Sequence, residues 1–205
     1  MVKRATWSQY QGSIGDRSGL FAAVADTWPI ERALYPGSYV DLSPSTAISS
    51  VTYVDTDARA TRFFADDDLL GSELDGCTRP GAGEHVRYLA ADYTQPLDVP
   101  DSSADLLISL FAGLVFEHCR RYLRPGGWLL ANTSHGDASI AALDPTTTLV
   151  AAVHHDADRY HLDVDGLDKY LIPKRPEAAD PDKIRASGRG IAYTKAAFAY
   201  VFQVA

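Results

Sequence analysis

The chain has 205 residues, of which 46% are hydrophobic, and a formal net charge of −8. This hydrophobic content can bury a core, which excludes wholesale disorder, and the length suits a single domain over residues 1–205. The net negative charge argues against nucleic-acid binding, because neutralising phosphates requires a basic face.

The sequence shows neither a membrane-spanning segment nor a cysteine pattern typical of a disulfide framework or a metal site. No apolar run reaches the roughly 20 residues that a membrane-spanning helix needs, and the first residues, MVKRATWSQYQ, lack the apolar core of a signal peptide. Cys77 and Cys119 lie far apart without metal-type spacing, so we expect free thiols in a reducing compartment. These features predict a cytoplasmic protein without a membrane partner.

The first half of the chain predicts a mobile arm followed by alternating helices and strands. Residues 1–19 are polar and contain three spaced glycines, which is typical of a mobile N-terminal arm. Residues 20–34 have apolar residues at helical spacing, interrupted by Pro29. Three apolar runs that each end in an acid predict strands at 38–42, 51–55 and 86–90, and Asp57 is the expected N-cap of a helix over 57–74.

The second half predicts further strands and an irregular addition. Strands are expected at 105–110, 127–132 and 198–204, with a helix at 112–123. Residues 148–190 are expected to add a hairpin, formed by 148–154 and 159–164, and a charged loop over 173–190. Short buried strands that alternate with helices predict an α/β fold, in which a mainly parallel sheet has helices on both faces and residues 198–204 add an antiparallel strand.

Three acids end consecutive predicted strands: Asp41, Asp55 and Asp92. In parallel α/β sheets, ligands bind beyond the carboxyl ends of the strands. A single acid there often only caps the following turn, but three on consecutive strands favour a binding site.

An ordered set of motifs resembles the class I S-adenosylmethionine-dependent methyltransferases over about residues 35–135. The set consists of the pair Asp92 and Tyr93, the segment Pro100-Asp-Ser-Ser-Ala-Asp105 that leads into the fourth strand, and the turn Leu123-Arg-Pro-Gly-Gly127. The resemblance implies a Rossmann-like sheet of the seven-stranded type, S-adenosylmethionine as cofactor and a small-molecule substrate.

The resemblance also assigns roles to individual residues. Asp55 resembles the acid that accepts hydrogen bonds from the ribose hydroxyls, and Asp92 the acid that accepts from the adenine amino group. Tyr93 would lie against the adenine ring. Ser109 and Leu110 would line the place of the methyl-bearing sulfonium, and Asp41 resembles the acid that opens the first loop.

The first loop departs from the family pattern. Ser43 and Ser45 stand where the family has glycines, and Pro44 between them fixes φ and removes a donor. Only residues 43–50 separate the two strand candidates, which is too short for the usual crossover helix. Arg17 of the arm is a candidate to meet a carboxylate at this place. The departure keeps a second function open, that of a non-catalytic binding or regulatory protein with the methyltransferase fold.

The remaining candidates are histidines. His135, just past the strand at 127–132, is the better candidate for a substrate contact. His118, on the helix predicted over 112–123 after the fourth strand, is a second candidate as a general base. A third group is expected to be a polar turn rather than a metal site, because it lacks helical His-x-x-x-His spacing: His154, His155, Asp156, Asp158 and His161. A homodimer is one assembly that we expect.

Overall fold

The computed structural model describes residues 5–157 and 159–205. The chain divides into two compact units, residues 1–98 and 99–205, and the single domain expected from the length stays a prediction. No helix in the described part of the chain is both long and apolar enough to cross a membrane.

Over residues 5–98, the first unit has a three-stranded parallel sheet and four helices. Strand β2 lies between β1 and β3 and pairs in parallel with both, which is the 3-2-1 strand order of one half of a doubly wound fold. The elements are α1 (Trp7–Ile14), α2 (Ser18–Thr27), β1 (Arg32–Pro36), a 3-10 turn (Ser43–Thr46), β2 (Ser50–Asp55), α3 (Ala58–Phe64), α4 (Asp67–Leu74) and β3 (His85–Ala90).

The predicted strand at 38–42 is wrong. The strand that pairs with β2 is β1, in a register that runs from Arg32 opposite Ser50 to Pro36 opposite Val54. The strand ends because Pro36 has no amide hydrogen and Gly37 turns the chain at φ +68°. The Gly37 N–H then donates to the Val54 carbonyl at 2.8 Å, so residues 38–42 belong to the loop that follows β1.

The helix expected over residues 20–34 is also shorter than predicted. Helix α2 ends at Thr27, and Trp28 is extended with φ −130° and ψ 149°, as expected for a residue before proline. The helix expected over 57–74 is two helices, since Asp66 accepts a hydrogen bond from the Leu69 N–H at 2.9 Å and starts α4. The arm predicted over residues 1–19 contains α1 and the start of α2, and residues 1–4 lie outside the described residues.

Over its described residues, 99–157 and 159–205, the second unit contains a mixed sheet of five strands. Its elements are β4 (Ala104–Ser109), α5 (Val115–Cys119), β5 (Leu123–Ala131), α6 (Asp137–Leu143), β6 (Thr147–Asp156), β7 (Arg159–Asp163), α7 (Pro181–Ser187) and β8 (Ala199–Val204), with 3-10 turns at Arg120–Tyr122, Leu167–Lys169 and Pro176–Ala178. Strands β4 and β5 are parallel, whereas β8 is antiparallel to both β5 and β6. The predicted hairpin is β6–β7. The helix expected over 112–123 is shorter, and the loop expected over 173–190 contains α7.

The predicted α/β class is confirmed, including the antiparallel final strand. All six residues of β4 are buried, as the continuous apolar run of a central parallel strand requires. Eight strands form within residues 5–157 and 159–205.

The strand directions place several chain segments at one edge of the second unit. Since β8 is antiparallel to β5 and to β6, strands β4, β5 and β6 all run in the same direction. One row of paired residues crosses the sheet near this edge: Ser109, Ala131, Tyr200, Ala152 and Asp163. The residues that follow Ser109, Ala131 and Ala152 therefore share an edge with those that precede Tyr200.

The loop after α7 packs closely on the loop after β5, which gives a stability prediction. A Cβ at Gly190 would lie 2.0 Å from the Thr133 carbonyl oxygen, so Gly190→Ala forces the backbone apart. We expect a loss of about 3 kcal/mol in the free energy of unfolding, measured by urea denaturation. The control Gly188→Ala meets no atom within 4 Å but has φ +60°, so it should cost only about 1 kcal/mol. Equal losses would contradict the close contact.

Candidate functional site

A cleft of about 260 Å³ lies at the carboxyl ends of β2 and β3 in the first unit. It brings together three residues that the sequence assigned to one site, Asp55, Asp92 and Tyr93. The complete lining is Gly37, Asp55, Thr56, Ala91, Asp92, Tyr93 and Thr94. The position fits the rule that ligands bind beyond the carboxyl ends of parallel strands.

Asp55 is fixed by the loops on both sides of it. Its Oδ2 accepts the Tyr39 N–H at 2.7 Å, and its Oδ1 accepts the Asp57 N–H at 2.8 Å. The Tyr88 hydroxyl donates to the Asp55 carbonyl at 2.9 Å. A carboxylate offers about four acceptor positions, so these two bonds orient Asp55 and leave it able to accept from a diol.

Asp92 is held by a turn of its own. The Thr94 N–H and hydroxyl both donate to Asp92 Oδ1, at 2.9 and 2.8 Å, which is the pattern of an Asx turn. The Asp92 side chain is exposed, and Tyr93 beside it is half-buried. The turn therefore presents a carboxylate and an aromatic ring to the same cleft.

Asp57 has the structural role that the sequence predicted. Its side chain accepts the Arg59 N–H at 2.7 Å and caps α3. The Arg59 guanidinium hydrogen-bonds the same carboxylate and, together with that N–H, lowers the pKa of Asp57 to about 2. Asp57 is therefore a helix cap two residues from the acid that lines the cleft.

The first-loop acid lies in the interior of the first unit. Asp41 is fully buried and forms an ion pair with Arg17 at 3.1 Å. It also accepts from the Tyr35 hydroxyl at 3.2 Å and from the Ser43 hydroxyl at 2.6 Å. Arg17, which the sequence offered as a partner for a carboxylate near the first loop, pairs with Asp41 of this same chain.

The two serines expected at glycine positions are buried as well. The Ser43 hydroxyl is bonded to Asp41, and the Ser45 hydroxyl lies 2.6 Å from the Tyr53 hydroxyl. Burial raises the pKa of Tyr53, so this phenol stays protonated. Asp41, Ser43 and Ser45 thus hold the loop together from inside the unit.

The glycine of this loop lies earlier than the sequence suggested. Gly37 has φ +68° and Tyr39 has φ +48°, a left-handed conformation that costs roughly 1–2 kcal/mol for a residue with a side chain. Tyr39 is held by the Asp55 carboxylate on its N–H, by the Tyr10 ring with centroids 5.1 Å apart, and by the Arg59 guanidinium 5.1 Å from its ring centre. Because the first strand was predicted at 38–42, Tyr39 was expected within a strand and its left-handed conformation was missed.

In the second unit, the end of β4 leads to a buried acid that sequence reasoning missed. Ser109 donates its hydroxyl to Asp137, which also accepts from the Val115 N–H at 2.7 Å and the Phe116 N–H at 3.3 Å. Burial raises the pKa of Asp137 to about 6, and these hydrogen bonds oppose the shift. Asp137 follows β5 closely, so the rule of acids after strand ends could have found it.

The segments after β4 and β5 lie beside each other. Leu110 is buried, and Phe111 follows it with φ +60° and 47% exposure. The Asn132 side chain accepts the Phe111 N–H at 3.4 Å, and a Cβ at Gly113 would lie 3.5 Å from the His135 Cβ. His135 therefore lies beside the segment that follows β4, and its role as a substrate contact stays a prediction.

The predicted histidines are accessible. His135 is exposed, with Nδ1 2.9 Å from the Ser134 hydroxyl, and His118 is exposed on α5. Among residues 5–157 and 159–205, no three His, Cys, Asp or Glu side chains lie close enough together to hold a metal ion. His154 Nε2 instead lies 2.6 Å from the Tyr170 hydroxyl, and this hydroxyl donates to Asp163 at 2.5 Å. Asp158, which was predicted in the same polar turn, lies outside the described residues.

Comparisons with known proteins give remote structural likenesses. No protein-family model and no curated protein matches the chain. It resembles the N-methyltransferase NodS from Bradyrhizobium japonicum with a TM-score of 0.45 and 14% identity, over 76% of this chain and 93% of that one. It resembles a methyltransferase from Geobacter sulfurreducens with a TM-score of 0.46 and 16% identity, over 71% of this chain and 80% of that one. It also resembles a Methanococcus maripaludis protein with a TM-score of 0.45 and 13% identity, over 62% of this chain and 60% of that one. The last is assigned only provisionally as an S-adenosyl-L-methionine-dependent methyltransferase, and the chain spans 60% of its length. TM-scores below 0.5 do not identify a reaction, so the function must follow from this chain's own residues.

The raised pKa of Asp137 predicts a pH dependence of stability. The folded state binds this proton more tightly than the unfolded chain, whose pKa is near 3.8, so the stabilisation is present below pH 4 and is lost as pH rises through 6. We expect the free energy of unfolding of the wild type minus that of Asp137→Asn to fall by about 3 kcal/mol between pH 3.5 and 7.5. Other titrating groups cancel in this difference. A pH-independent difference would show that folding leaves the pKa of Asp137 unchanged.

Proposed function

We propose that the protein is an S-adenosylmethionine-dependent methyltransferase that acts on a small molecule. The observation that carries the proposal is the cleft of the first unit, in which Asp55, Asp92 and Tyr93 converge. Its volume of about 260 Å³ lies just below the roughly 300–1,000 Å³ of a whole small-molecule pocket. It is therefore sized for one part of a ligand, such as the adenosine end.

The residues of the cleft suit adenosine chemically. The ribose presents two adjacent hydroxyls, and the oriented carboxylate of Asp55 can accept both of their hydrogen bonds. Asp92 can accept from the adenine amino group, while the Tyr93 ring offers an apolar face to the base. In this proposal, Asp41, Ser43 and Ser45 act indirectly, by holding the first loop in place.

Methyl transfer requires little from the protein beyond positioning. The bound cofactor would supply an electrophilic methyl group on a sulfonium. The protein must hold the acceptor against it, and needs a base only if the acceptor loses a proton. We assign Ser109 and Leu110 to the wall of the site near the methyl group. We assign His135 to a contact with the acceptor, and His118 is the second candidate for this role. The net charge of −8 and two free cysteines fit a cytoplasmic enzyme.

The decisive test compares Asp55 with its neighbour Asp57. A hydrogen bond to a charged group is worth about 1.5–3 kcal/mol, so Asp55→Ala should raise the Kd for S-adenosylhomocysteine by roughly 10- to 150-fold. Asp57→Ala should leave the Kd unchanged and cost about 1 kcal/mol of stability through the lost cap. Isothermal titration calorimetry measures the Kd. Because Asp55 also holds Tyr39, the fold must be checked in the variants. Far-UV circular dichroism makes this check for Asp55→Ala and for the more conservative variant Asp55→Asn.

Two results would contradict the proposal. If Asp55→Ala and Asp57→Ala bind S-adenosylhomocysteine equally well, Asp55 does not hold the ribose. If the wild type shows no heat with S-adenosylmethionine or S-adenosylhomocysteine at millimolar concentration, the chain is a non-catalytic binding protein with this fold.

The N-terminal segment should respond to the same ligand. Tyr10 contacts Tyr39 and Arg17 contacts Asp41, so residues 8–19 are tied to the loop that Asp55 holds. We expect amide hydrogen exchange in residues 8–19 to slow when S-adenosylhomocysteine binds, and exchange in residues 181–187 to stay unchanged. Equal exchange of residues 8–19 in both states would mean that this segment is only structural.

A further inference from the structure

Four rings gather at the edge of the second unit where β4, β5 and β6 end. Phe111 lies two residues past the end of β4, and Phe198 directly precedes β8. His155 is in the last residues of β6, and Tyr160 pairs with it across the hairpin. The Phe198 N–H donates to the Val153 carbonyl at 2.8 Å, which fixes Phe198 beside this end of β6.

The four rings form one connected cluster around Phe198. Its ring centroid lies 6.3 Å from that of Phe111, 5.8 Å from that of His155 and 5.3 Å from that of Tyr160, with interplanar angles of 65–71°. His155 and Tyr160 are themselves stacked at 4.2 Å and 9°. These are the edge-to-face and stacked geometries in which aromatic rings attract one another.

Phe111 is exposed and strained, and His155 of the same cluster is exposed as well. Phe111 is the aromatic residue among the four large apolar side chains that are exposed in the described part of the chain, the others being Leu143, Val164 and Ile172. Its φ of +60° is unfavourable for a residue with a bulky side chain. For folding alone, glycine would suit this position better. A strained backbone that keeps a ring in solvent is the kind of feature that clusters at ligand sites.

We propose that Phe111, Phe198, His155 and Tyr160 bind the methyl acceptor, and that the acceptor is a planar aromatic molecule. The inference rests on the proposed methyltransferase function, which places the methyl group near Ser109 and Leu110. Phe111 directly follows these two residues, so an acceptor against its ring lies at the end of β4. His135 reaches the same segment from the loop after β5.

The cluster favours a planar aromatic ligand over an aliphatic one. A ring added to an aromatic cluster gains an attraction worth about a 2- to 12-fold increase in affinity beyond its apolar area. A saturated molecule with the same carbon skeleton receives the area contribution only. Affinity for a matched pair of probes therefore separates the two kinds of acceptor.

The experiment measures binding of 2-naphthol and of its saturated analogue decahydro-2-naphthol, by ligand-observed NMR, with S-adenosylhomocysteine present at saturation. We expect 2-naphthol to bind the wild type about 2- to 12-fold more tightly than the analogue. Phe111→Ala should weaken 2-naphthol about ten-fold. Phe111→Leu, which keeps an apolar side chain but removes one of the four rings, should reduce the preference for 2-naphthol, and the control Ile172→Ala should behave as the wild type.

Several outcomes would overturn the inference: equal affinity of the wild type for the two probes, 2-naphthol binding that Phe111→Ala leaves unchanged, or a dimer in sedimentation analysis that Phe111→Ala dissociates. The titration with S-adenosylhomocysteine alone separates this failure from that of the proposed function. If that ligand binds but the probes are not discriminated, the aromatic acceptor is wrong and the methyltransferase proposal stands. If it does not bind while 2-naphthol binds at Phe111, the methyltransferase proposal falls and the rings are a site for another aromatic ligand.

Discussion

Burying a carboxylate is costly unless hydrogen bonds or an opposite charge satisfy it, and the loops of both units are organised around such an acid. In the first unit, Asp41 is fully buried and bound by Arg17, Tyr35 and Ser43. In the second unit, Asp137 is buried and bound by the Ser109 hydroxyl and two backbone N–H groups. In each case the requirement of one acid fixes segments that are distant in sequence.

The two buried acids are satisfied in different ways, with different electrostatic consequences. Asp41 has a cation, Arg17, whose own side chain is only 5% exposed. Asp137 is held by one hydroxyl and two backbone amide donors, and burial raises its pKa to about 6. The first arrangement ties α2 to the loop after β1, because removing either partner would leave an uncompensated buried charge. The second ties the end of β4 to the start of α5, and its charge depends on pH.

The acids of the cleft differ from these in exposure rather than in residue type. Asp55 and Asp92 also follow strands and also hold neighbouring backbone N–H groups, but they line an open cleft. An acid at a strand end can therefore be a loop organiser, a ligand contact or both. Which of these it becomes depends on the donors that tertiary structure brings to it.

This dependence explains what the sequence could and could not predict. The strands at 51–55 and 86–90 were predicted correctly, because an apolar run followed by an acid is a local signal, and the cleft residues at their ends came with them. The strand at 38–42 was wrong, because Tyr39-Val-Asp41 carries the same local signal while the pairing partner of β2 is the run that ends at Pro36. The pairing of Arg17 with Asp41 joins residues 24 positions apart, and no local pattern indicates it.

The corrected position of β1 also changes the meaning of the glycine-poor first loop. The tight turn does begin with glycine, at Gly37, but the next left-handed position is Tyr39. A glycine there would adopt this conformation freely, whereas the tyrosine needs contacts to hold it. One of these is the hydrogen bond from its N–H to the Asp55 carboxylate, the same group that faces the cleft. The conformation of the loop and the orientation of Asp55 are therefore coupled, so a ligand that bonds Asp55 also acts on Tyr39, and through Tyr10 on α1. In a loop with glycine at this position, that coupling would be weaker, because the turn would not depend on the acid.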